Sequence, residues 1–169
     1  MATFVPEGVH LVDAFGGPIT LNGGWTSALF VSMKYAHRAT LVLQITNATG
    51  FAFVLTPEKS AVVAGTTPVV LTAVTEVVHI WSNLSTAATD TLVERAAAAN
   101  YTVNAAAVKQ MVVFDFDPAA LGNLAGVPYD CIGLMVGAGG GATDFISGLW
   151  ILDYRYPGPV AGQPSAILN

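Results

Sequence analysis

The sequence predicts an all-β fold. It reads as an antiparallel two-sheet sandwich, jelly-roll-like, with an N-terminal arm or edge strands over 1–24, a sandwich domain over 25–156 and an extended Pro/Gly-rich tail over 157–169. Three observations predict it. About eight to ten short apolar runs recur at even spacing between Gly, Pro and Asn turns. No run carries the 3.6-residue apolar period of a long helix. The stretch from Phe145 to Tyr156 is apolar on both faces, with Phe145, Leu149 and Ile151 leading to Asp153 and Arg155 on one, and Ile146, Trp150, Leu152, Tyr154 and Tyr156 on the other. Successive strand residues point to opposite sides, so such a strand has something packed against each face.

The elements follow in order. Residues 1–24 carry Pro6, Gly8, Gly16, Gly17, Pro18, Gly23 and Gly24, which suits an arm or short edge strands. Trp25 to Met33 reads as a strand. Residues 39–46 alternate cleanly, with Leu41, Leu43 and Ile45 toward a core and Thr40, Val42, Gln44 and Thr46 outward. Asn47 to Gly50 then links to 51–55 as the return strand of a hairpin. Pro57, Gly65 and Pro68 break the next segment, after which 69–74 and 77–81 read as strands. Over 84–108 the expectation is two short strands, 89–93 and 101–103, around an alanine-rich turn or single helical turn, because alanine is the best helix former. Residues 109–117 form a strong strand with Val112, Phe114 and Phe116 on one face. Asp117-Pro118 starts a turn with Asp117 as cap. Residues 129–136 give another strand, 137–141 a glycine loop, and 145–156 the last strand.

Composition narrows the function. The chain of 169 residues is 53% hydrophobic and only 10% charged, against about 25% charged in an average soluble domain. So few charges cannot keep a large surface wet, which points to surface covered by partners. A net charge of −5 argues against nucleic acid and against anionic membranes. The first residues lack the basic and apolar regions of a secretion signal, so synthesis in a cytoplasm is expected, and the sequons at Asn47, Asn83 and Asn100 read as chance matches. The lone Cys131 has no disulfide partner and reads as a small buried residue.

No catalytic constellation stands out, and neither enzyme activity nor a cofactor is expected. Gly137 to Ala142 precedes a strand, not a helix, so it is no phosphate loop. His10, His37 and His79 are scattered without ligand spacing. Asp115 and Asp117 share a strand face, but Asp117 is explained by its turn, and Asp153 has Arg155 on its own face for a partner. Ser147 lacks the glycine that precedes a nucleophile elbow. Trp25, Trp81 and Trp150 offer faces on which a sugar could stack, which gives the alternative reading, a carbohydrate-binding module of a host-attachment fibre or spike.

Residues 76–157 resemble the small head-decoration, or cement, proteins of tailed bacteriophages. The likeness runs through Val78-His-Ile-Trp-Ser-Asn83, Asp90-Thr-Leu92, Tyr101-Thr102, Val112-Val-Phe-Asp-Phe-Asp-Pro118 with Leu121, Tyr129-Asp-Cys-Ile132, Gly148-Leu-Trp-Ile-Leu152 and Arg155-Tyr156. The resemblance implies a sandwich bound to the outside of a virion capsid. Its partners would be the major capsid protein and further copies of itself, a trimer being favoured over a dimer. The contact residues expected on this basis are Trp150, Tyr154, Arg155 and Tyr156 at the last strand, with Phe4 and Val5 in the arm.

Overall fold

Leu41, Leu43 and Ile45 are fully or almost fully buried, while the residues between them are partly or fully exposed, and this alternation sets the plane of the larger of two sheets. The computed structural model describes residues 9–22, 29–71, 78–106, 108–124, 127–155 and 165–167. In chain order these form β1 (Val9–Asp13), β2 (Ile19–Thr20), β3 (Val31–Ser32), β4 (Ala36–Thr46), β5 (Phe53–Ser60), β6 (Val69–Val70), β7 (Val78–Asn83), β8 (Val93–Ala98), β9 (Tyr101–Val103) and β10 (Lys109–Phe116). A 3-10 turn (Pro118–Leu121), β11 (Asn123–Leu124), β12 (Val127–Pro128), β13 (Cys131–Val136) and β14 (Phe145–Tyr154) complete the order.

The protein is an antiparallel sandwich. The larger sheet runs β1-β14-β4-β10-β7-β8, with β2 also on β14. The smaller runs β3-β13-β5-β6, with β9 also on β5. Leu43, Val112, Phe114, Phe116, Ile80 and Trp150 from the larger sheet share one core with Phe53, Leu55, Ile132, Leu134 and Val136 from the smaller. The rings of Phe116 and Trp150 lie 5.6 Å apart at its centre.

Several expectations are corrected. Residues 39–46 and 51–55 do not pair as a hairpin, since β4 and β5 lie in different sheets. The cause is Asn47. Its buried amide donates to the carbonyls of Phe51 (2.8 Å) and Asn104 (3.0 Å), and its oxygen accepts from the N–H groups of Gly50 and Phe51, each at 3.1 Å. The chain therefore turns out of the larger sheet and arches over to the smaller. β13 and β14 make a second arch beside it, because β14 pairs with β4 and β13 with β5.

Pro57 does not break β5. Its carbonyl accepts from the N–H of Leu71, so its nitrogen points to the same side of the strand, into the gap where β9 has ended at Leu55 and β6 begins at Glu58. No ladder bond is lost there. The alanine-rich stretch is neither turn nor helix but strand β8, where pairing with β7 overrides helical propensity. Residues 89–92 before it are not strand. Trp25–Met33 is strand only at Val31–Ser32 among its described residues, and 69–74 only at Val69–Val70. Of the arm or short edge strands expected over 1–24, the described residues hold two strands, β1 paired with β14 over its whole length and β2 paired with it at Phe145 and Ile146. The capped turn is as expected: Asp117 accepts from the N–H of Ala119 at 2.9 Å.

Candidate interaction face

The last strand reads apolar on both sides, and the structure shows which side is which. Ile146, Trp150, Leu152 and Tyr154 face the core and are buried. Gly148 shares that face and makes room for a neighbour. A Cβ there would lie 2.7 Å from Leu43 Cδ2 and 3.0 Å from the ring of Phe15, so its absence lets the β1–β2 turn fold onto the strand. The other set points away from the core: Phe145 is 40% exposed and Leu149 38%.

Trp150 is therefore a core residue and not a contact residue, which corrects the expectation. Tyr154 is buried too, its hydroxyl 2.8 Å from Nδ1 of His10, and burial raises the phenol pKa. Arg155 is exposed, but its guanidinium Nε donates to the carbonyl of Ala36 at 3.0 Å instead of pairing with Asp153. Tyr156, Phe4, Val5 and Trp25 lie outside the described residues.

The outer side of the larger sheet forms a continuous face. Ladder partners directly opposite one another share a face, so the register assembles rows across strands. The central row is Leu149–Val42–Val113–Trp81, from β14 through β4 and β10 to β7, with Asp13 and Glu94 at its two ends. One row away lie Leu11, Ile151, Thr40, Asp115 and His79. On the other side lie Ser147, Gln44, Met111 and Asn83. Leu11 is 47% exposed. A shallow concavity of about 380 Å3 opens beside Leu149 and Ile151, walled by Pro18 and Val42.

The outer side of the smaller sheet differs. Phe30 lies over Gly133 and is closed in from above by Gly65, and Cys131, Glu58 and Ser60 beside it are buried. That part of the smaller sheet is covered by the chain itself. In the larger sheet's row Leu149 is exposed and Val42 and Trp81 are partly so, with Val113 buried between them.

At one end of the larger face sits a polar cluster. Arg38 forms a two-pronged ion pair with Asp115, which also accepts from the Thr40 hydroxyl at 3.3 Å. The Asp115 hydrogen bond and charge raise the Arg38 pKa, aided by Asp153 and Asp117. His37 and His79 complete a concavity of about 370 Å3 with them, and His79 stacks on Trp81 at 6.1 Å. With both Asp115 oxygens engaged by a guanidinium, this pair is not arranged as a general acid and base. Among the described residues no group of three or more His, Cys, Asp or Glu is placed to hold a metal ion. No helix among the described residues is long and apolar enough to cross a membrane. Cys131 is buried and its thiol pKa is pushed up to about 12, by burial first and then by Asp130.

No protein-family model matches the chain, and no curated protein or solved structure matches it either.

The exposed face was partly legible in the sequence. The set Phe145, Leu149, Ile151 ends in Asp153 and Arg155, the one charged signal on this strand, but both sets are apolar and the contact was expected on the Trp150 side. The outward direction of Val42 was legible from alternation, but its place in one row with Val113 and Trp81 was not, because that depends on which strands lie side by side.

Proposed function

We propose that this chain is a structural, contact-making subunit: a decoration or cement protein on the outside of a virion capsid, binding the major capsid protein and further copies of itself. The observation that carries this reading is the apolar row Leu149–Val42–Val113–Trp81, in which Leu149 is exposed and Val42 and Trp81 partly so around a buried Val113, while the other sheet has its own lid. A face of that kind is where a partner gains most by excluding water. The two adjacent arches, β4 to β5 and β13 to β14, support the finer expectation of a jelly-roll-like course. A subunit that touches several neighbours stabilises a shell through repeated modest contacts.

The carbohydrate-binding alternative is weakened, because Trp150 has no face to offer a sugar. The test is addition of the purified protein to phage heads that lack it. Co-sedimentation with the heads and a higher rupture temperature are expected. Heads that neither bind it nor gain thermal resistance would sink the proposal.

A further inference from the structure

We infer that the outer face of the larger sheet is the contact between two copies of this chain, related by a two-fold axis that runs along the row Leu149–Val42–Val113–Trp81. This deepens the proposed reading and rests on it, since a contact-making role is what gives the uncovered face an occupant.

The charge layout selects the occupant and the axis. At one end of the face stand Arg38, Asp115, Asp117 and Asp153, with the exposed Arg155 beside them, three carboxylates and two guanidiniums, net −1 by that count. At the other end Lys109 is exposed, across β4 from the Phe145 position of β14. The face is therefore acidic at one end, basic at the other and apolar between. A two-fold axis along the central row reverses the strand direction of the partner. It lays the acidic end of each copy on the basic end of the other, so that Asp117 approaches Lys109 of the second copy. An axis along the strands would instead set three carboxylates on three carboxylates. The central row packs on itself, Leu149 to Leu149 and Trp81 to Trp81, as two aligned sheets do. Asp13 and Glu94, at the ends of the row, stay at the wet rim.

The size is suitable. Five strands from β1 to β7 at ~4.8 Å spacing, and the eight steps from Phe145 to Asp153 at ~3.3 Å each, span roughly 500 Å2 in projection. The corrugated side-chain surface exceeds its projection, which brings the face toward the ~800 Å2 per partner of a standard interface. The inference replaces the favoured trimer by a dimer, because a self-complementary face closes on itself after two copies.

Sedimentation equilibrium of the full chain at 10–100 µM (roughly the range that resolves micromolar dimers) tests it. The wild type should be a dimer. Leu149→Lys, a change at an exposed position, should give a monomer with an unchanged circular dichroism spectrum. Lys109→Glu should weaken the dimer by about tenfold, and adding Asp117→Asn, which keeps a capping side chain, should recover part of that loss. A wild-type monomer, a trimer, or a dimer indifferent to Leu149→Lys overturns the inference. Head binding is scored separately: a dimer that does not bind heads counts against decoration and leaves the pairing standing.

Discussion

The carboxylate of Asp144 accepts from both the backbone N–H (2.9 Å) and the hydroxyl of Thr49, ninety-five residues away in sequence. It also accepts from the N–H of Gly141 at 2.6 Å. Asp144 lies on the loop between β13 and β14, and Thr49 on the loop between β4 and β5. One buried carboxylate thus ties together the two arches that join the sheets.

Asp144→Ala should cost about 1–3 kcal/mol, since a charged, multiply bonded acceptor that ties the two arches together is lost, while its donors at the exposed Thr49 and half-buried Gly141 can turn to water. Burial alone would raise the Asp144 pKa, but the bonds from Thr49, Gly141 and Ala48 outweigh it and hold the pKa below its ordinary value. A lowered folded pKa means stability that is present above the ordinary carboxyl range and is lost as pH falls through the folded value. Urea titrations from pH 7 down to pH 3 should show the wild type losing stability on acidification and the alanine variant losing less.

The same pair shows where sequence reading stops. Alternation placed Leu41, Leu43 and Ile45 in the core because β4 has one apolar and one mixed face. It could not place β5, because the residues that send the chain to the other sheet, Asn47 and Asp144, act through partners at Asn104 and Thr49. Nor could it orient β14, where both alternate sets are apolar and the deciding feature is space for Phe15 above Gly148. Periodicity reports a face. The sheet to which that face belongs is fixed by contacts far apart in the chain.

Phe30 is held between two glycines. A Cβ at Gly133 would lie 2.7 Å from Cζ of the ring, and one at Gly65 would lie 2.6 Å from Cδ2 and Cε2. A methyl at either glycine would have to displace this buried ring. Gly133→Ala should therefore destabilise by about 1–3 kcal/mol through overpacking. Phe30→Ala should cost about 3–5 kcal/mol through the opposite defect, a cavity. Chemical denaturation of the two variants checks both, and the double variant should be less destabilised than the sum because the added methyl then enters the vacated space.

Cys131 should be inert in the folded protein. It is fully buried, and a thiol with a pKa of about 12 holds almost no thiolate at neutral pH. A water-soluble disulfide reagent at pH 8 should label less than a tenth of the protein within an hour, a rough bound set by the opening rates of a stable core. Complete labelling should follow in denaturant. Rapid labelling of the native protein would show that the lid formed by Phe30 and Gly65 opens far more readily than its packing allows.

Beneath the same lid lies Glu58, opposite Gly133 on one neighbour strand and Val70 on the other. It is 6% exposed, and its Oε2 has no hydrogen-bond partner. The next residues on its face are Ser60 and Thr56 of its own strand and Cys131 and Met135 of β13, none of which is a cation to offset a negative charge. Burial therefore raises its pKa. For an acid the raised folded pKa favours the neutral form, so the contribution to stability is fully present below the ordinary glutamate value, near ~4.3, and is lost as pH rises through the folded value. Glu58→Gln removes the titration while keeping the shape. The difference in melting temperature between variant and wild type should move in favour of the variant between pH 4 and pH 8. A difference that stays flat across that range would mean that Glu58 reaches water when ionised, and that the lid over the smaller sheet is looser than the burial of Phe30 implies.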